Sequence, residues 1–296
     1  MITPRKTTTA DDVAGHYNDL DHFYRRLWGD HVHHGLWRTG RESPEVAVTQ
    51  LIEHVVEPLE IEAGDRICDV GCGYGGTSRF LVNSRGARMT GLTVSAAQHQ
   101  YAVDQTTDGE NPNYLLENWE TNSLPDESFD AVLSIECLSH IEHKELFFQQ
   151  IHRVLKPGGR AVVVAWLAAA DSTPWQQRHL LEPICREGRL PGMGSTAEYS
   201  QMIAAAGLQL TDFEELSEQV KKTWTVCSRR VLGHVLTSPA TWWFLLSGRS
   251  SHAVFLVTLA RLWEAYRSGA MEYGMFVMQR PSSENSGDGS LCENRS

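Results

Sequence analysis

The sequence predicts an α/β fold, a mostly parallel sheet with helices on both faces and a helical cap, on three observations. Short apolar runs rich in β-branched residues alternate with stretches of helical period from Arg66 to Trp166, which is the rhythm of successive βαβ units. A glycine-rich turn, "DVGCGYGG" over Asp69–Gly76, follows the first of those runs. A second turn, "KPGG" at 156–159, opens another apolar run later in the same alternation.

Taken in order, residues 13–60 form a helical entry segment, because Val46, Val48, Leu51, Ile52, Val55 and Val56 recur at helical spacing before Pro58. "RICDV" (66–70) is the first strand and "TSRFLVNS" (77–84) the first helix after the glycine turn. "ARMTGLTV" (87–94) and "SAAQHQYAVDQT" (95–106) repeat the pair. "NYLLEN" (113–118) and "FDAVLSIE" (129–136) add strands, then "HKELFFQQIHRVL" (143–155) a helix and "RAVVVAW" (160–166) a strand. Beyond Trp166 the sequence turns helix-rich and aromatic until "YGMFVMQRP" (273–281) supplies a last strand. The expected division is a flexible N-terminus over 1–12, then one domain over 13–280 and a disordered tail over 281–296, whose Ser, Gly, Asn and acidic content cannot bury a core. Within the domain, 13–60 is an N-terminal helical cap, 61–167 the sheet core, 168–265 a helical substrate cap and 266–280 the final strand region.

Bulk properties exclude several classes of function. A hydrophobic content of 41% with 21% charged residues suits a folded globular enzyme. A formal charge of -11 without clustered Lys and Arg argues against nucleic-acid binding. The six cysteines are scattered and no apolar signal segment opens the chain, so they read as thiols and the cytoplasm is the expected location. The most apolar region, 231–263, is broken by Pro239, Arg249 and His252, too soon for a transmembrane helix. Apolar sequence of that extent is instead expected to meet a partner, as a surface for a second copy of the chain or as a membrane-touching patch.

In a sheet of this kind ligands sit beyond the carboxyl ends of the strands, and the first strand-to-helix turn is the usual place. Gly71, Gly73 and Gly75 let backbone approach a ligand, and the helix that follows turns its N–H groups toward it. Asp69 puts a carboxylate where a dinucleotide's pyrophosphate would be repelled, so a cationic or amine-bearing ligand suits the loop better.

With "DVGCGYGG" as its glycine motif, the chain resembles the class I S-adenosylmethionine-dependent methyltransferases, which implies a Rossmann-like sheet with an antiparallel C-terminal strand. "WGDHVHHGLW" (28–37), "GLTVSAAQ" (91–98), "LPDESFDAVLSIECLSHI" (124–141), "LPGMGSTAEY" (190–199) and "EAYRSGAMEYGMFVMQRP" (264–281) look like the γ-tocopherol methyltransferase-like group. That group acts on prenylated aromatics, with relatives that methylate terpenoids and alkaloids. The resemblance implies S-adenosylmethionine as cofactor. Asp69, Gly71, Cys72 and Gly73 would surround its amino-acid part, Thr93 and Gln98 its ribose, and Asn118 and Trp119, with Ile135 beyond, its adenine side. Strand two ends at Leu92-Thr93 without the acid that many class I enzymes place on the ribose, and Ser139 replaces the group's second glutamate.

His31, His33 and His34 form an H-x-H-H pattern whose spacing does not by itself make a closed metal site, and no metal is expected. They read as part of a cap over the cofactor, with His33 or His34 able to accept a proton from an acceptor hydroxyl. Tyr17 and Trp37 are expected to wall the sulfonium methyl. Glu136, His140 and His34 are the expected catalytic or substrate-side groups. The expected reaction is methyl transfer to carbon, oxygen or nitrogen of a small lipophilic natural product in secondary metabolism. The alternatives are C-methylation of an isoprenoid diphosphate, methylation or cyclopropanation of a lipid chain, and a non-catalytic cofactor-binding subunit.

Overall fold

Strand alternation builds two cores, one on each face of a seven-stranded sheet. The computed structural model describes residues 1–4, 7–21, 24–25, 29–106, 111–237 and 250–282, with 231–237 and 250–256 described by backbone alone. The strands are β1 (Arg66–Val70), β2 (Arg88–Thr93), β3 (Asn113–Leu116), β4 (Phe129–Ile135), β5 (Leu155–Ala168), β6 (Gln209–Glu215) and β7 (Met271–Gln279). Their order is β3-β2-β1-β4-β5-β7-β6. The first five run parallel, and β7 enters antiparallel between β5 and β6.

Along each strand neighbouring side chains go to opposite faces, as the two-residue period requires. Ile67, Ala131, Leu133, Val162, Val164 and Tyr273 share one core with Leu51, Ile52 and Val55 of α2 (Pro44–Val56) and Leu81 of α3 (Gly76–Arg85). Cys68, Val132, Ala161, Val163 and Phe276 share the other with Phe147, Phe148 and Ile151 of α5 (Lys144–Val154). Helix α4 (Ala96–Asp104) packs Ala102 against Cys72 and Tyr114.

The cap is assembled from separated pieces. Helix α1 (Ala10–Asp19) starts in a capping box, in which Thr9 and Asp12 satisfy each other's exposed backbone donors. A loop over 29–43 carries the histidines to Ser43, the N-cap of α2. A helical stretch over 174–187 (α6) contains a π-turn at Gln177–Leu181. It is followed by α7 (Thr196–Ala205), the single turn α8 (Ser217–Val220), α9 (Lys222–Thr237) and α10 (Ser250–Arg267).

Two expectations need correction. The 168–265 segment is not purely helical: β6 lies inside it, missed because "QLTDFEE" is an acidic, half-exposed edge strand with no apolar run. The N-terminus is not loose over 1–12, because α1 begins at Ala10 and Ile2 exchanges backbone hydrogen bonds of 2.8 and 2.9 Å with Met193. Residues 283–296 of the expected tail and 238–249 of the apolar stretch lie outside the described residues. Among the described residues no helix is long and apolar enough to cross a membrane.

Candidate active site

A cavity of about 610 Å³ opens at the carboxyl ends of β1, β2 and β4 and continues under the cap. Its floor is the β1–α3 turn. Asp69 is 3% exposed and accepts a 2.6 Å hydrogen bond from Ser78 of α3. Burial pushes its carboxyl up to about 6 despite that bond, so it is ionised at neutral pH at a desolvation cost that a cationic partner would offset. Gly71 and Gly75 have φ of +76° and +75°, and an added Cβ would fall 2.5 Å from Cys137 at the first and 2.3 Å from the Tyr114 hydroxyl at the second. These two glycines are therefore demanded by the protein's own packing. At Gly73 the nearest atom is Gln98 Nε2 at 3.9 Å, and here the missing side chain does leave room beside the cavity.

Thr93 and Gln98 are both buried and line the cavity. The Thr93 hydroxyl donates to Gln98 Oε1 at 3.0 Å and accepts from the Ser95 amide at 3.2 Å, so it is spent on the turn, and the Gln98 amide nitrogen is committed by neither bond. Asn118 caps the turn at Trp119–Thr121 by accepting from the Glu120 amide at 3.0 Å. The Trp119 indole donates to the Phe147 carbonyl at 3.1 Å, fixing the ring at the cavity wall beside Cys72 and Ile135.

Glu136, immediately beyond β4, organises the other half. It takes a φ of +61°, a strained conformation for a non-glycine residue. Its Oε1 accepts from the His34 amide (2.7 Å), from His34 Nδ1 (2.8 Å) and from the Tyr273 hydroxyl (2.8 Å), while Oε2 accepts from the Trp166 indole (3.2 Å). Burial opposes ionisation, but the attraction and hydrogen bonds of His34, helped by His33, hold the carboxyl down to about 2. With Nδ1–H committed to Glu136, the neutral tautomer of His34 leaves Nε2 as a lone-pair acceptor, buried and without a protein partner. His33 is set similarly: Nδ1–H donates to the His34 carbonyl at 2.8 Å and Nε2 has no partner. Burial keeps His33 low and takes His31 down to about 3.

Tyr17 reaches in from α1, and its hydroxyl meets His140 Nε2 at 3.0 Å while His140 Nδ1 faces the Arg189 carbonyl at 3.4 Å. Burial keeps His140 neutral, near 4. The turn bearing Ser139 and His140 is shaped from beneath by Lys144, 2% exposed, which donates to the carbonyls of Leu138 (2.9 Å), Ser139 (3.2 Å) and Ile141 (2.7 Å).

Most of the expected site residues therefore meet around one cavity, with changed roles for some. Glu136 and His140 are not free substrate-side groups, because every oxygen or nitrogen of each is engaged by the protein; of the expected catalytic trio, His34 alone presents an unused ring atom. Trp37 does not wall the cavity. It lies behind Thr223, donating to that hydroxyl at 3.0 Å with Lys222 over its ring at 5.0 Å. Sequence reasoning missed Lys144, Trp166, Trp224 and Tyr273 as site-builders. The last is signalled only by opening the final strand, and Trp166 by closing "RAVVVAW".

The family model described as mycolic acid cyclopropane synthetase matches residues 4–235. A chloroplastic tocopherol O-methyltransferase of Arabidopsis thaliana is 28% identical over 293 residues, covering 91% of this chain and 82% of that protein. A 27-O-demethylrifamycin SV methyltransferase of Amycolatopsis mediterranei is 28% identical over 233 residues, 76% of this chain and 84% of its own. The fold is that of the crystal structure of mycolic acid cyclopropane synthase CmaA1 complexed with SAH and CTAB, with a TM-score of 0.81 at 21% identity, covering 93% of this chain and 99% of that one.

Proposed function

The chain belongs to the mycolic acid cyclopropane synthetase family, and from that premise we propose that it is an S-adenosylmethionine-dependent methyltransferase acting on a nucleophilic carbon, oxygen or nitrogen of a small lipophilic natural product. The observation that carries this reading is the continuity of one cavity from the buried Asp69 carboxylate to the aromatic and histidine chamber under the cap. Asp69 has Ser78 as its hydrogen-bond partner and no cation partner among the described residues, so the donor set suits an ammonium group. The Gly73 opening, Gln98 and Trp119 would hold the rest of the nucleoside. Bound there, S-adenosylmethionine supplies an electrophilic methyl on a positively charged sulfur.

The chain's own residues align, desolvate and move a proton. Leu190, Leu259 and Leu262 give the acceptor an apolar bed, and alignment in a dry chamber is the main source of rate. The His34–Glu136 pair is a base held by an orienting carboxylate, which stabilises the imidazolium when a proton arrives. A cytoplasmic setting belongs to this reading, as does a second copy meeting the 231–263 stretch, where Val257 and Trp263 are each 47% exposed.

Calorimetry with S-adenosylhomocysteine, followed by label transfer from methyl-labelled cofactor to prenylated phenols, indoles and terpenoids, tests the proposal. Binding plus label in an apolar acceptor supports it. Binding with no transfer across the panel points to a non-catalytic subunit, Mg²⁺-dependent transfer only to diphosphates points to isoprenoid C-methylation, and absence of binding removes the reading.

A further inference from the structure

Three buried polar atoms stand together without partners in the acceptor half: His34 Nε2, Trp224 Nε1 and the Tyr266 hydroxyl. The His34 ring centroid is 5.1 Å from that of Trp224 and 5.9 Å from that of Tyr266. All three residues are at most 7% exposed, and His34 and Trp224 line the cavity. The Trp224 indole faces the Tyr266 hydroxyl closely enough to act on it electrostatically, but their approach stops short of a well-formed hydrogen bond. A buried polar atom left unmet is costly, and native proteins leave few. These are concentrated where the acceptor must lie.

Their polarities specify a ligand. In the neutral ring, whose one proton sits on Nδ1 against Glu136, Nε2 of His34 accepts only; the indole N–H donates only. The group that satisfies both at once must donate one hydrogen bond and accept another through the same atom. A hydroxyl does so. A ring or alkene carbon does neither, and a tertiary amine has no proton to give; a primary or secondary amine that accepts from the indole commits the single lone pair that would attack the methyl, whereas a hydroxyl oxygen keeps a second one.

We propose that the acceptor is a hydroxyl oxygen, phenolic or alcoholic, seated between His34 Nε2 and Trp224 Nε1–H, so that this protein methylates oxygen. The inference rests on the methyl-transfer reading above. In the reaction the O–H proton passes to His34 Nε2 as the oxygen's electron pair forms the bond to the methyl carbon. The pair of the breaking carbon–sulfur bond stays with sulfur, and the imidazolium held by Glu136 afterwards yields its proton to water. As that proton leaves the oxygen, the indole N–H steadies the partial negative charge that builds there.

The test uses the full chain labelled with ¹⁵N, saturated with S-adenosylhomocysteine and titrated with phenol or with toluene, two probes of similar shape. Phenol should move the Trp224 indole N–H resonance downfield and displace the His34 Nε2 signal, and toluene should leave both in place. Equal effects of the two probes, or none from phenol, overturn the proposal and leave the gap to water. Trp224→Phe, which identifies the indole signal by its loss, should retain affinity for S-adenosylhomocysteine and bind phenol about tenfold more weakly. If that variant does not fold, the wild-type titration decides. Label on carbon in the product of a phenolic acceptor also overturns it. Failure of S-adenosylhomocysteine to bind the wild type is a different result, and strikes the methyltransferase reading itself.

Discussion

The two ends of the cavity treat their polar groups in opposite ways. At the cofactor end the protein answers most of its own groups: Ser78 meets Asp69, Gln98 and Ser95 meet Thr93, and Glu120 meets Asn118, with His31 Nδ1 against Gly76 the exception. At the acceptor end His33, His34, Ser139 and Trp224 each keep a buried atom unanswered. The first end is prebuilt to one shape by strand geometry and left-handed glycines. The second holds hydrogen-bonding capacity that the protein itself leaves unmet; on the proposed reading it carries selectivity and the first anchorage.

The sharpest way to separate the ends is His34→Gln, which should cut kcat about a thousandfold for a hydroxyl acceptor while the affinity for S-adenosylhomocysteine stays put. Loss of both would merge the two ends into one unit. Next in size, Asp69→Ala should weaken that affinity about a hundredfold by calorimetry. The pH dependence sharpens this. Because the Asp69 carboxyl is raised to about 6 from an ordinary 3.8, the apo protein binds an extra proton between those values. Its stability contribution therefore falls as pH rises through that window, and cofactor affinity should rise as the carboxylate forms near pH 6 and then level off. Asp69→Asn should flatten the profile.

An effect of comparable size, on stability rather than affinity, is expected beneath the acceptor wall. Lys144→Met strands three carbonyls of the 138–141 turn and should cost about 3 kcal/mol in chemical denaturation. The smallest is Trp37→Phe, which removes one hydrogen bond to Thr223 and should cost about 1 kcal/mol of stability with kcat and cofactor affinity unchanged. A fall in cofactor affinity there would restore Trp37 to the cavity wall.

The same division governs what could be read from sequence. "RICDVGCGYGG" declares its turn locally, since a strand, an acid and αL glycines are adjacent in the chain, and the structure sets them as that order requires. The acceptor end is assembled from positions far apart: Glu136 is bound from 102 residues upstream by His34 and from 137 downstream by Tyr273. No window of sequence contains that contact. Glu136, His140 and His34 were identifiable as polar residues near the ends of strands, but which of them would be consumed by internal partners depends on tertiary packing. Trp37 illustrates the converse, an aromatic placed in the right motif and buried one layer too deep. Strand β6 escaped because its faces are half exposed, and its pairing with β7 is what makes it a strand.

The left-handed backbone at Glu136 also limits what evolution can do at this position. Glycine there would relax a conformation that costs an ordinary residue about 1 kcal/mol, yet it would release the loop that bears His34 and leave two indole and phenol donors facing nothing. Asparagine adopts that backbone readily but is a methylene shorter. Few replacements satisfy both the main chain and the ring it steers, so drift at 136 should be accompanied by change at 34, 166 or 273.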